Sequence, residues 1–241
     1  LSEEEVSQMA ATHNDSVTLV ADSLPGITAM PAEPTSTIRK PQIQARFYIP
    51  PLYDKNVFDS ATTVKYFSLA QASQGELKLL VNSKLLTQEI ASVIKNHTTD
   101  NTDIMILMDK TMSMEDDIDN VKAGMSKVIA AMKEYDNVRL AVSLYADRNY
   151  NGNNWFSFKN FENDLDGAIG YIQAIQLISN LDIPESVYDA FFKAMDQGFW
   201  KEENRHVIIL IGDAPPQEIP LSNYTISDVI REATKSSINM T

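Results

Sequence analysis

Five consecutive apolar residues, Ile104 to Met108, run directly into the polar string Asp109-Lys110-Thr111-Met112-Ser113. An uninterrupted apolar run of this kind, with Asp103 before it and a charged helical stretch after it, reads as a strand covered on both faces. Its carboxyl end then carries one carboxylate and two hydroxyls at alternate positions. In an open α/β sheet, the carboxyl ends of the strands are where ligands bind. Carboxylate and hydroxyl oxygens are hard donors, suited to Mg²⁺, Mn²⁺ or Ca²⁺ and poorly suited to Zn²⁺ or Cu²⁺. The same residues also read as a Ser/Thr-rich capped turn with no metal. The local sequence leaves both readings open.

The rest of residues 98–241 repeats the pattern. Ile118, Val121, Met125, Val128, Ile129 and Met132 recur at helical spacing within residues 114–134. Glu115, Asp116 and Asp117 crowd the first turn of that helix, where acidic groups suit its dipole. Asn137 to Tyr145 reads as a second strand, and Trp155 to Phe161, with its aromatic alternation, as a third at a sheet edge. Helices are expected at Asp164 to Gln176, Glu185 to Trp200 and Ser227 to Ser236. A buried strand is expected at Arg205 to Ile211, and another begins at Ile238. Strands alternating with helices imply an α/β fold with a doubly wound, mostly parallel sheet.

Asp109-Lys-Thr111-Met-Ser113 resembles the Asp-x-Ser/Thr-x-Ser signature of von Willebrand factor type A domains. Leu181-Asp182-Ile-Pro184-Glu185 resembles the second metal loop of the family's bacterial form. Val207 to Pro216 resembles the strand and third loop, with Asp213 in the position that completes the metal shell. The three segments occur in the family's order. The sequence departs from the pattern at Met112, where Gly is frequent, and at Ser179, Asn180 and Leu181, where glycines usually precede the second loop. The resemblance implies a metal-ion-dependent adhesion site with Asp109, Thr111, Ser113, Asp182 and Asp213 around Mg²⁺, or Mn²⁺ or Ca²⁺. It implies a protein partner whose Asp or Glu carboxylate completes the coordination, binding without turnover, and an extracytoplasmic setting, periplasmic or cell-surface. It also implies a further strand and helix beyond Thr241, so a sheet strand is expected to be missing from this chain.

Each candidate ligand also has a plainer role. Thr111 and Ser113 suit a helix cap, Asp213 a turn before Pro215-Pro216, and Asp182 a cap for the helix that starts near Pro184. Glu185 fits a helix first turn, and Asp147 fits a place behind the ligands. His13, His97 and His206 are scattered and suggest no metal role. Two other functions compete with adhesion: a structural or regulatory module of an envelope or secretion-associated protein with a vestigial site, and a metal-dependent hydrolase. The hydrolase reading lacks a base of assignable position and a Gly-rich phosphate loop.

Composition limits the partners. The net charge is −13, and residues 101–241 hold 22 acidic against 12 basic groups, which disfavours nucleic acid and anionic membrane. There is no cysteine, so disulfides and thiolate chemistry are excluded. No apolar stretch is long enough to insert into a membrane. Residue 1 is Leu with no signal-peptide pattern after it, so the chain is expected to be an excised or processed piece. Before the α/β region, residues 1–45 begin with a helix-like acidic stretch and become a Pro-rich, linker-like segment from Pro25 to Pro41. Residues 46–97 are expected to form a small β unit, SH3-like in character, from Ala45 to Ile49, Thr63 to Leu69 and Glu76 to Val81, followed by a helix over residues 83–97.

Overall fold

The computed structural model describes residues 59–80, 82–179 and 184–241, together with two short strands before them. Those strands, β1 (Val17–Leu19) and β2 (Ala45–Phe47), pair antiparallel, with Val17 opposite Phe47. They belong to a unit spanning Leu1–Lys55, and the rest of the fold is a second unit, Asn56–Thr241. The helix-like acidic start and the Pro-rich run from Pro25 to Pro41 lie outside the described residues.

In the second unit, strand β3 (Thr102–Asp109) is buried along its whole length. The apolar run is continuous because each face of the strand meets a helical layer. Ile104, Ile106 and Met108 point into one layer, built on α2 (Leu86–His97), α3 (Glu115–Met132) and α5 (Leu165–Gln173). Met105 and Leu107 point into the other, with α1 (Ser60–Ala72), α6 (Val187–Gln197) and α7 (Ile226–Lys235). The alternation follows from the two-residue period of a strand.

Four further strands complete a five-stranded sheet: β4 (Arg139–Tyr145), β5 (Phe156–Glu162), β6 (Arg205–Ile211) and β7 (Ile238–Met240). Their order is β5-β4-β3-β6-β7. All neighbours are parallel except β5, which runs antiparallel to β4 at the edge. The mostly parallel α/β sheet predicted from the strand-helix alternation is therefore present, and β5 occupies the edge that its aromatic alternation suggested. Among the described residues, no helix is long and apolar enough to cross a membrane.

The β reading of residues 46–82 is corrected in its middle. Thr63 to Leu69 lie within α1, not in a strand. Their β-branched and aromatic side chains suggested extended backbone, but β propensity yields readily to packing. Asp59 caps the helix by accepting from the Thr62 N–H at 2.7 Å. Tyr66, Leu69 and Ala70 then fall at helical spacing, with Leu69 and Ala70 buried. The following stretch, Glu76 to Leu80, has no strand assignment either.

Helices α2 and α3 cross so closely at Gly124 that a Cβ there would lie 2.1 Å from Thr87 Oγ1. Gly124→Ala is therefore expected to destabilise the chain by about 1–3 kcal/mol, the range for overpacking. This occurs although alanine favours a helix interior over glycine by roughly 1 kcal/mol. Urea unfolding measures the difference, and an unchanged or raised midpoint would show that the helices separate freely.

Candidate metal centre

The carboxyl ends of β3 and β6 supply the site. Beyond Asp109 the ladder continues for one bond, Lys110 N–H to Tyr145 O at 2.8 Å. The Asp109 side chain then turns the chain: its Oδ1 accepts from the Thr111 N–H at 2.8 Å, the local bond that makes Asp a turn residue. Thr111 forms a backbone bridge with Ile178, and a single 3-10 turn, Met112–Met114, leads into α3. On the other side, β6 ends at Ile211 and runs into Gly212-Asp213. A Cβ on Gly212 would lie 2.6 Å from the Tyr145 hydroxyl, so only glycine fits beside Asp213. The second and third loops are stitched together by Glu185 N–H to Pro215 O at 2.9 Å and Gln217 N–H to Glu185 O at 2.8 Å.

These loops bring together oxygens that are distant in sequence. Thr111 Oγ1 and Ser113 Oγ are 2.9 Å apart, and Ser113 Oγ donates to Asp213 Oδ1 at 3.1 Å, across 100 residues. Asp109 and Thr111 are fully buried, whereas Ser113 and Asp213 are exposed. The oxygens thus lead from the end of the sheet to the surface. Asp109 Oδ2 is buried and has no hydrogen-bond partner. Burial raises the Asp109 carboxyl to about 7, the two hydrogen bonds from Thr111 oppose the shift, and the charge of Asp213 adds to it.

This donor set fits a hard divalent cation. A buried carboxylate oxygen without a partner has a desolvation cost that a cation would offset. Two hydroxyls and a surface carboxylate beside it complete an all-oxygen set. Among the described residues, no group of three His, Asp or Glu side chains forms a metal cluster.

Of the residues singled out in the sequence, Asp109, Thr111, Ser113 and Asp213 meet here, and Asp182 lies outside the described residues. Glu185 is buried, with its backbone joining the two loops. Asp147 caps the short helix α4 (Arg148–Asn151), accepting from Asn149 N–H at 2.6 Å. Met112 is 43% exposed at the rim. Lys110 is buried, which lowers its ammonium pKa. His206 contacts the carbonyls of Lys201 and Ser236 at the start of β6, the opposite end of that strand from Asp213.

Sequence reasoning missed the polar frame behind the loops. Ser186 Oγ accepts from Arg148 N–H and donates to Gln217 Oε1, both at 2.8 Å. Gln217 Nε2 reaches Pro184 O at 3.0 Å, and Arg148 pairs with the buried Asp189 at 3.1 Å. A polar residue flanking each motif is the only local signal; the pairings join segments some 30 to 70 residues apart.

Comparison with known families decides the grouping. The model for the von Willebrand factor type A domain matches residues 103–241. The chain belongs to that family. The match begins inside β3 and includes every candidate ligand, while α1 and α2 precede it. Type A domains are commonly protein-interaction modules and are generally non-catalytic. The comparison with curated proteins finds no match.

Proposed function

We propose that this type A domain binds a protein partner through a divalent cation, Mg²⁺ or Mn²⁺ with Ca²⁺ the other hard candidate, held by Asp109, Thr111, Ser113, Asp182 and Asp213. A carboxylate of the partner, Asp or Glu, completes the shell. One observation carries this reading: the partnerless buried oxygen of Asp109 stands behind a connected chain of hydroxyl and carboxylate oxygens that opens to solvent. A bound cation supplies the electrophilic point that draws an anion. Thr111 and Ser113 contribute neutral oxygens, so they leave positive charge uncompensated toward the partner. Asp109 anchors from below, and Asp213 holds the third loop against Ser113.

A vestigial site in a structural or regulatory module is the second reading, motivated by Met112 in place of glycine. The backbone does not favour it. Met112 is not among the described residues with positive φ, so a side chain is accommodated there without strain. The hydrolase reading requires a base, and the described histidines are engaged elsewhere: His206 as above, and His97 with Glu76 at 3.5 Å. An extracytoplasmic parent protein fits an adhesion role and forms part of the proposal.

The test is a pull-down from an envelope fraction, with and without chelator, using wild type and Ser113→Ala. Partners are expected only with wild type and divalent cation, and they should be recovered chemically unchanged. Equal recovery in all four conditions would show that binding uses another surface.

A further inference from the structure

We infer that Tyr66, on a helix that precedes the family-matched region, is a positioning residue for the metal centre, fixing the third loop so that Asp213 stays within reach of Ser113. The inference rests on the metal reading above. Tyr66 belongs to α1, and the family match begins only at residue 103. Its hydroxyl nevertheless donates to the Ala214 carbonyl at 2.7 Å, across 148 residues. Ala214 is buried and directly follows Asp213. The Tyr66 ring is half-buried against the layer that contains Leu69 and Tyr145. The adjacent Lys65 pairs through Nζ with Glu218 Oε1 at 2.8 Å. Helix α1 therefore holds the segment after Asp213 at two points.

What lies beneath the loop explains why such a clamp is needed. Asp213 is exposed, and β6 ends two residues earlier at Ile211. Gly212 itself contributes no side chain to pack, because the Tyr145 hydroxyl occupies the space where a Cβ would stand. The third loop thus leaves the sheet at its least constrained residue type. From the second loop it is restrained by the Glu185–Pro215 and Gln217–Glu185 backbone bonds, and from α1 by Tyr66. Burial keeps both phenols, Tyr66 and Tyr145, protonated, with the charges of Asp109 and Asp213 acting in the same direction. Tyr66 therefore remains a hydrogen donor. Residues of this kind, which orient a ligand without touching the metal, typically change metal affinity by about 10–100-fold when removed.

The experiment uses the full chain as wild type, Tyr66→Phe and Tyr188→Phe, titrated calorimetrically with Mn²⁺ alone. Tyr188 is a further phenol on the same side of the sheet, buried, and its hydroxyl has no hydrogen-bond partner. Hydrogen exchange of the Glu185 and Gln217 amides is followed in the metal-free proteins. Tyr66→Phe is expected to weaken Mn²⁺ binding about ten-fold or more, with faster exchange at those two amides and a melting temperature close to that of Tyr188→Phe. Tyr188→Phe should bind Mn²⁺ like wild type. An equal dissociation constant in Tyr66→Phe and wild type overturns the inference. If wild type takes up no Mn²⁺, the metal reading fails, and faster exchange in Tyr66→Phe still establishes the clamp. Unchanged exchange in that case overturns both.

Discussion

Mg²⁺ or Mn²⁺ is expected to raise the melting temperature of the wild-type chain and to leave that of Asp109→Ala unmoved. The size of the rise follows from mass action: ligand at a hundredfold excess over its dissociation constant stabilises the native state by about 2.7 kcal/mol. Asp109 is the residue to remove because its buried Oδ2 has no other partner. The pH dependence has a definite sign. The Asp109 carboxyl is raised from 3.8 to about 7 in the metal-free fold. A raised acid contributes its full stability below its unfolded pKa and loses it as pH rises through the folded one. Metal-free wild type should therefore weaken between about pH 4 and pH 8 relative to Asp109→Asn, by at most roughly 4 kcal/mol. Over the same interval the metal response should grow, because protons and cation compete for one carboxylate. A metal-induced shift of equal size in wild type and Asp109→Ala would place the ion elsewhere.

The second large effect lies at the other end of β3. Asp103 is fully buried and receives Arg139 Nε at 2.8 Å, a second guanidinium bond from Nη2, the Lys201 N–H at 2.9 Å and Asn204 Nδ2 at 2.7 Å. Arg139 also donates to Phe199 O at 2.9 Å, and its guanidinium stands 5.0 Å from the Phe161 ring centroid. One pair thus ties β3, β4, β5 and the loop entering β6. Removing one partner strands the other charge in the interior, so Arg139→Met is expected to cost about 3–5 kcal/mol. That corresponds to roughly 6–20 °C for a unit of this size. The double variant Arg139→Met/Asp103→Leu should cost clearly less than the two single losses added together. Strict additivity in urea unfolding would contradict the pairing. Burial alone would raise the Asp103 carboxyl, but the bonds from Arg139, Lys201 and Asn204 overcome it and hold the pKa below its usual value. Its contribution is lost as pH falls, opposite in sign to that of Asp109.

How much was legible in the sequence depended on the range of the forces involved. Strands β3 and β6 announced themselves because burial of their central residues gives the uninterrupted apolar runs Ile104 to Met108 and Val207 to Ile211, and α3 and α6 because one stripe faces the core. The first and third loops were readable because each follows such a strand. Thr63 to Leu69 misled because side chains that favour strands were recruited into α1 by packing against α7 and β7. Tyr66 had no local signal, since its partner carbonyl is 148 residues away. The Asp103–Arg139 pair joins residues 36 apart that are neighbours only once β3 and β4 align in register. Asp103 looked like a strand flank, and nothing in the string named its partner.

Anomalous diffraction from crystals soaked in Mn²⁺ tests the central claim most directly. The predicted result is one strong peak at the carboxyl end of β3, within roughly 2.0–2.6 Å of oxygens from Ser113 and from Thr111 or its neighbouring carboxylates. The peak should disappear in Asp109→Ala crystals. A saturating soak that leaves this position without a peak, or that places manganese only among the acidic side chains of the surface, would contradict a cation-dependent site.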